Sequence, residues 1–95
     1  MADIDIKRKH DLSRDEAKKK VEALARALKR ELSDGEWTWV DKYVLEGTAT
    51  GLKMGRITVA AKFIHVELDL AFYLPAALVR QKVLDRLDLD FPEPD

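Results

Sequence analysis

Two histidines, His10 and His65, are the only imidazole side chains in the sequence, and imidazole commonly binds metals or transfers protons. A metal site would need both to converge with carboxylates. They are 55 residues apart, and neither His-x-His nor His-x-x-x-His spacing occurs. We expect His10 to hydrogen-bond near a helix start and His65 to be solvated on the polar face of a strand. The sequence therefore predicts no metal site and no cofactor.

Nucleophilic side chains are scarce. The absence of cysteine excludes disulfides, thiolate zinc sites and cysteine nucleophiles. The two serines, Ser13 and Ser33, suit helix ends, whereas Ser-His-Asp chemistry needs a serine on a strained, exposed turn. Asparagine is absent and Gln81 is the single side-chain amide, so oxyanion donors would have to be backbone groups. We therefore predict that the chain is not an enzyme and has no catalytic residues.

The charges are nearly balanced, with 17 basic and 18 acidic residues and a formal net charge of −1. Strong nucleic-acid binders usually carry a basic excess or patch. A local basic set does occur at Lys18–Lys20, Arg26, Lys29 and Arg30, but a solvated helix face with acidic neighbours explains it better. We predict no nucleic-acid partner.

The start of the chain has clear periodicity. Asp3–His10 alternate between apolar and polar residues, which predicts a strand with one buried side. Ser13 followed by Glu16 is the capping-box pattern of a helix start. We expect that helix to end at Ser33–Gly35. Its single apolar stripe contains Ala17, Val21, Leu24, Ala25, Leu28 and Leu32.

Residues 36–72 follow a period of two and contain four predicted strands, of which Ile64–Leu70 is the clearest. Short connections favour antiparallel pairing. Leu74-Pro75 ends the sheet and begins a second amphipathic helix, Leu74–Leu89. Its predicted apolar residues are Leu78, Val79, Val83, Leu84 and Leu87.

The element order β-α-β-β-β-β-α predicts an α+β fold, with an antiparallel curved sheet and two helices packed on one face. Gly47, Gly51 and Gly55 are spaced by four and match no phosphate-binding loop, so we expect them to mark bulges or bends. We expect one domain over residues 1–95, with a flexible tail at 91–95. Open sheet edges would allow a homodimer through strand pairing.

Two tryptophans cannot easily be buried completely in a domain of 95 residues. Trp37 and Trp39 share one strand face, and Tyr43 follows them. These three aromatic residues, together with Leu78 on the second helix, are our predicted surface or partner contacts.

The segment from Ile6 to Leu28, IKRKHDLSRDEAKKKVEALARAL, resembles the opening of the polyhydroxyalkanoic acid system proteins, also called the polyhydroxyalkanoate granule region family. Those sequences have a strand ending in His-x-Leu before an amphipathic helix, as in His10 and Leu12 here. Trp39, GLKMGRITV (51–59), and HVELDL (65–70) followed by Leu74-Pro75 match the later pattern. Trp37 and the late Leu-Pro depart from it. The resemblance covers nearly the whole chain and supplies no catalytic residues.

This resemblance implies an accessory protein of polyhydroxyalkanoate metabolism that acts at a storage granule surface or on a granule-associated protein. An alternative is a small-molecule or lipid-binding domain with a cavity between the sheet and the second helix. No apolar stretch approaches the roughly 18–20 residues that span a bilayer. The first residues lack the pattern of a signal peptide, so we expect a cytoplasmic protein.

Overall fold

A computed structural model describes residues 3–31 and 35–92, and this part of the chain forms five strands and two helices. The observed order confirms the predicted α+β arrangement. The predicted helix end at Ser33 and residues 93–95 of the predicted tail lie outside the described residues. The elements are β1 (Ile4–Lys9), α1 (Arg14–Glu31), β2 (Glu36–Asp41), β3 (Val44–Ala49), β4 (Leu52–Val59), β5 (Phe63–Leu70) and α2 (Ala76–Asp90).

The five strands form one antiparallel sheet in the order β1-β5-β4-β3-β2. Strands β2 to β5 follow each other through short connections, as predicted for a meander. The first strand lies beside the last, with Ile6 opposite Val66. This pairing places the first and the last strand side by side and leaves β1 and β2 as the sheet edges.

The start of α1 confirms the predicted cap. The Glu16 backbone N–H donates to Ser13 Oγ at 3.2 Å, and the Ser13 hydroxyl donates to Glu16 Oε1 at 3.2 Å. The first bond satisfies one of the amide groups that have no partner within the helix. The inward face of α1 is buried and consists of Ala17, Val21, Leu24, Ala25 and Leu28.

The second helix differs from its prediction in two places. Leu78 is predicted in the apolar stripe but is 62% exposed. The buried residues of α2 are Val79, Val83 and Leu87. Leu78 lies about 100° around the helix axis from Val79 and therefore outside this buried row. Phe91, in the predicted tail, is 1% exposed, and its ring centroid lies 6.0 Å from that of His10. The apolar ring therefore extends the core beyond the helix end.

Both helices pack on the same face of the sheet, α1 against β4 and α2 against β1, and they also contact each other. The Arg8 guanidinium forms an ion pair with Asp88 at 3.0 Å, which joins β1 to α2. Burial is uneven across the sheet. The four inward residues of β5 are fully buried, whereas β2 contains no buried residue. The helix layer therefore covers the β1-β5-β4 side more completely than the β2 edge.

Two glycines provide the space that Trp37 occupies. A Cβ placed on Gly47 would lie 2.5 Å from Trp37 Cδ2, and one placed on Gly55 would lie 2.6 Å from Trp37 Cη2. The indole therefore lies over the backbone of β3 and β4. A bulge is also present between Gly47 and Ala49, as predicted, and Gly51 adopts φ +88° in the connecting turn.

Candidate functional site

A groove of about 230 Å³ lies between the outer flank of α1 and the β2 edge of the sheet. We call it the tryptophan groove. Both tryptophans of the protein, Trp37 and Trp39, line it from β2, and both are half-buried. The remaining lining residues are Glu22, Ala25, Arg26, Lys29 and Leu45. The structure thus brings two of the predicted contact residues to one site, with cations beside them.

The third predicted aromatic residue, Tyr43, lies close to the same edge. Lys18 Nζ is 4.5 Å from the Trp39 ring centroid and 5.8 Å from that of Tyr43. The guanidinium of Arg14 lies 4.7 Å from the Tyr43 centroid, and the Tyr43 hydroxyl donates to Asp15 Oδ1 at 3.0 Å. These cation–π contacts attach α1 to the β2–β3 turn. Tyr43 and Lys18 therefore already have partners within the protein.

Leu78 belongs to a different surface. Phe72 is 97% exposed, Tyr73 is 59% exposed, and their ring centroids are 5.7 Å apart in an edge-to-face arrangement. Leu78 follows in the first turn of α2. We call these three residues the exposed apolar segment. The Ala71 N–H donates to the Gly51 carbonyl at 2.9 Å, which holds the start of this segment against the β3–β4 turn.

A histidine and two carboxylates meet on the open face of the sheet. His65 Nε2 lies 2.5 Å from Asp5 Oδ1, and its Nδ1 lies 3.6 Å from Glu67 Oε1. The strand register produces this cluster, because Asp5 is opposite Glu67 and Lys7 is opposite His65. His65 is on the outer face as predicted, but it is paired as well as solvated. Sequence spacing did not reveal the cluster, since 60 residues separate Asp5 from His65.

The geometry of this cluster suits a hydrogen bond between His65 and Asp5 better than a metal site. One candidate ligand atom from each of Asp5, His65 and Glu67 lies within 4.8 Å of the others. His65 approaches the two carboxylates through different ring nitrogens, and only one nitrogen of an imidazole normally faces a given ion.

His10 has the structural role that we predicted. It is 3% exposed, and Nδ1 accepts the Leu12 backbone N–H at 3.1 Å. Because Nδ1 is the acceptor, Nε2 carries the hydrogen and donates to the Ala60 carbonyl, also at 3.1 Å. Both ring nitrogens are therefore used to join β1, the start of α1 and the β4–β5 turn.

A second groove, of about 410 Å³, separates the outer sides of α1 and α2. Its residues are Leu24, Ala27, Leu28, Arg30, Lys82, Asp85, Arg86 and Leu89. Charged side chains border it, and Arg86 is paired with Asp90 at 2.9 Å. The predicted cavity lay beneath α2, where Val79, Val83 and Leu87 are packed into the core. Of these two grooves, the tryptophan groove is the one with aromatic lining residues, and it lies between α1 and the β2 edge.

No helix in the described part of the chain is both long enough and apolar enough to cross a membrane. Residues 4–89 match the model of the family described as "Putative polyhydroxyalkanoic acid system protein". The match confirms the resemblance recognised in the sequence and covers both helices and all five strands almost completely. The description names a metabolic system and no reaction. No curated protein and no solved structure matches the chain.

Proposed function

Because this chain belongs to the family of polyhydroxyalkanoic acid system proteins, we propose that it is a non-enzymatic accessory protein that acts in the cytoplasm at the surface of storage granules. The observation that carries this proposal is the exposed apolar segment. A polyester granule presents an apolar boundary to water. Apolar side chains that are exposed to solvent in the free protein are stabilised when they enter such a boundary.

The expected gain is large enough to bind. Burying a fully exposed phenylalanine contributes about 1.5–3 kcal/mol, and Phe72 is 97% exposed. Tyr73 and Leu78 are each more than half exposed and contribute about 1–2 kcal/mol apiece on the same scale. The gross gain is therefore about 3.5–7 kcal/mol. Because Phe72 and Tyr73 protrude at a turn, they can enter a surface without unfolding a strand or helix.

The exposed apolar segment is a better granule contact than the sheet edge that carries Trp37, Trp39 and Tyr43. Trp37 has the β3 and β4 backbone beneath it, and Trp39 has Lys18 beside it. Tyr43 makes contacts with α1. A surface in which the aromatic rings are already half-buried gains less from an apolar boundary than one in which a phenylalanine ring is almost entirely in water.

Cosedimentation with purified polyhydroxyalkanoate granules tests this proposal. We expect the unaltered protein to pellet with granules and F72S/Y73S to bind at least tenfold more weakly, because about 2.5–5 kcal/mol of apolar gain is lost. The matched control is V40T/M54T, which removes two other exposed apolar side chains from strands β2 and β4. It should bind like the parent. Failure of the parent to pellet, or equal binding by both variants, would refute the proposal.

The non-enzymatic part of the proposal is supported by the family description, which names no reaction, and by the contacts of His10. His10 is the single buried polar or charged residue among those described, and both of its ring nitrogens form hydrogen bonds with backbone groups. General acid–base catalysis needs a titrating group within reach of a substrate. We therefore expect no turnover in esterase, thioesterase or depolymerase assays. Activity that copurifies with the protein and is lost in H65A would contradict this expectation.

A further inference from the structure

We propose that the tryptophan groove binds an aliphatic carboxylate, the chemical class that includes hydroxyalkanoic acids and the carboxyl end of their polyesters. The site does not overlap the exposed apolar segment. Its residues come from α1, β2 and β3, whereas the segment comes from the β5–α2 connection. Ligand binding in this groove and granule adsorption are therefore separate properties, which can be tested separately.

The apolar wall of the groove is held in position before any ligand arrives. Trp37 is fixed on its inner side by the strand backbone at Gly47 and Gly55. Trp39 is held by the Lys18 ammonium at 4.5 Å from its ring centroid. Rigid aromatic rings contribute a large contact area at a small cost in side-chain entropy. An alkyl chain can lie along these two indoles and complete their burial.

The groove contains two cations, Arg26 and Lys29. In the described part of the chain, neither Arg26 nor Lys29 forms an ion pair with a carboxylate within 4.0 Å. Other basic residues do have such partners, as in the Arg56–Glu46 pair at 2.7 Å. Two unpaired cations beside an apolar surface are complementary to a molecule with a carboxylate head and an aliphatic tail.

The order of the charges along α1 gives the ligand a direction. Arg26 and Lys29 lie eight and eleven residues after Lys18, which is about 12 and 16 Å along the helix axis. The carboxylate therefore belongs at the end of the groove that is remote from the Lys18–Trp39 contact. Glu22 also lines the groove, one turn before Arg26, and its negative charge disfavours the reverse orientation.

The volume of the groove limits what it can hold. About 230 Å³ is below the range of about 300–1,000 Å³ that is usual for pockets that enclose a drug-sized ligand. The groove is a surface feature, so an acid of medium chain length or the terminal part of a longer chain fits it, with the remainder in solvent. We therefore expect modest affinity that depends on both the head and the tail of the ligand.

Intrinsic fluorescence measures this site directly, because the only two tryptophans of the protein line the groove. The probes are decanoate and 3-hydroxydecanoate below their micellar concentrations, with butyrate and methyl decanoate as comparisons. We expect a saturable fluorescence change with the two long acids. Butyrate lacks the tail and the ester lacks the charge, so each should bind at least about tenfold more weakly. A short 3-hydroxyalkanoate oligomer with a free carboxyl end distinguishes a polymer end from the free acid.

The matched variants remove equal charge from the same helix. R26Q/K29Q should weaken decanoate binding by about tenfold or more, whereas K19Q/R30Q, which alters two cations that do not line the groove, should leave it unchanged. Circular dichroism checks that each variant is folded, and ligand-detected NMR supplies a second binding signal. No saturable binding by either method, equal binding of the ester, or full binding by R26Q/K29Q would overturn the proposal. Failure to pellet with granules would leave these binding results unaffected.

Discussion

Alanine at position 55 would collide with the indole of Trp37, and the collision is specific to that partner. A Cβ at Gly55 lies 2.6 Å from Trp37 Cη2, and the next contact is the flexible Leu68 Cδ2 at 3.1 Å. At Gly47 a Cβ would lie 2.5 Å from Trp37 Cδ2, but also 2.6 Å from the Glu36 carbonyl oxygen. The first collision involves only side chains, whereas the second also involves the backbone of the neighbouring strand.

The two sites therefore predict different energetics. Overpacking of this kind lowers the free energy of unfolding by about 1–3 kcal/mol, so we expect G55A to cost about 2 kcal/mol in the parent protein. With Trp37→Leu in the background the indole is absent, and the cost of G55A should fall to about zero, which is a coupling energy of about 2 kcal/mol. G47A should remain destabilising in both backgrounds, because the Glu36 oxygen is still present.

Urea unfolding followed by far-ultraviolet circular dichroism measures these differences without relying on a fluorophore that the background removes. The required proteins are the parent, W37L, and G55A and G47A in each background. Our account of the groove is wrong if G55A is as stable as the parent, or if it costs the same with and without Trp37. Complete rescue of G47A by W37L would show that the backbone contact is not limiting.

Two further predictions concern buried rings. H10A should lower the free energy of unfolding by about 2–4 kcal/mol, because the Leu12 N–H and the Ala60 carbonyl both lose a partner; a loss below 0.5 kcal/mol in urea unfolding would contradict this role. F91A should cost about 3–5 kcal/mol, as measured by thermal unfolding. L89A, which alters a residue that is 73% exposed, should change stability by no more than about 0.5 kcal/mol, and equal effects of F91A and L89A would contradict our placement of the ring.

The elements with strong local signals were predictable. The capping residues Ser13 and Glu16 and the alternation of Ile64–Leu70 specify their structures through neighbours in sequence, and all agree with the prediction. The element order then follows, because short connections restrict how strands can pair. Family membership was also predictable, since the resemblance depends on these same strand, cap and helix positions.

Features that depend on strand register or on packing across elements were not predictable. The His65–Asp5 contact requires β1 to pair with β5 in one particular register. The burial of Phe91 depends on where α2 ends relative to His10, and two prolines nearby made the segment resemble a tail. The tryptophan groove was missed because the two glycines that support Trp37 come from β3 and β4. Because Gly55 is a glycine within a strand, the sequence predicted a bend there. In the structure, Gly55 instead leaves space for the Trp37 ring from β2.

The pairing of the first strand with the last sets the order in which the protein can fold during synthesis. When α1 has been made, neither β4 nor β5 yet exists, so its apolar face has no sheet to cover. Translation at about 5–20 residues per second needs about 2–8 s to extend the chain from residue 31 to residue 70. For that time the first two elements are a strand and a helix without a core, and a nascent chain stalled before residue 63 should be open to proteases or chaperones that recognise the uncovered helix.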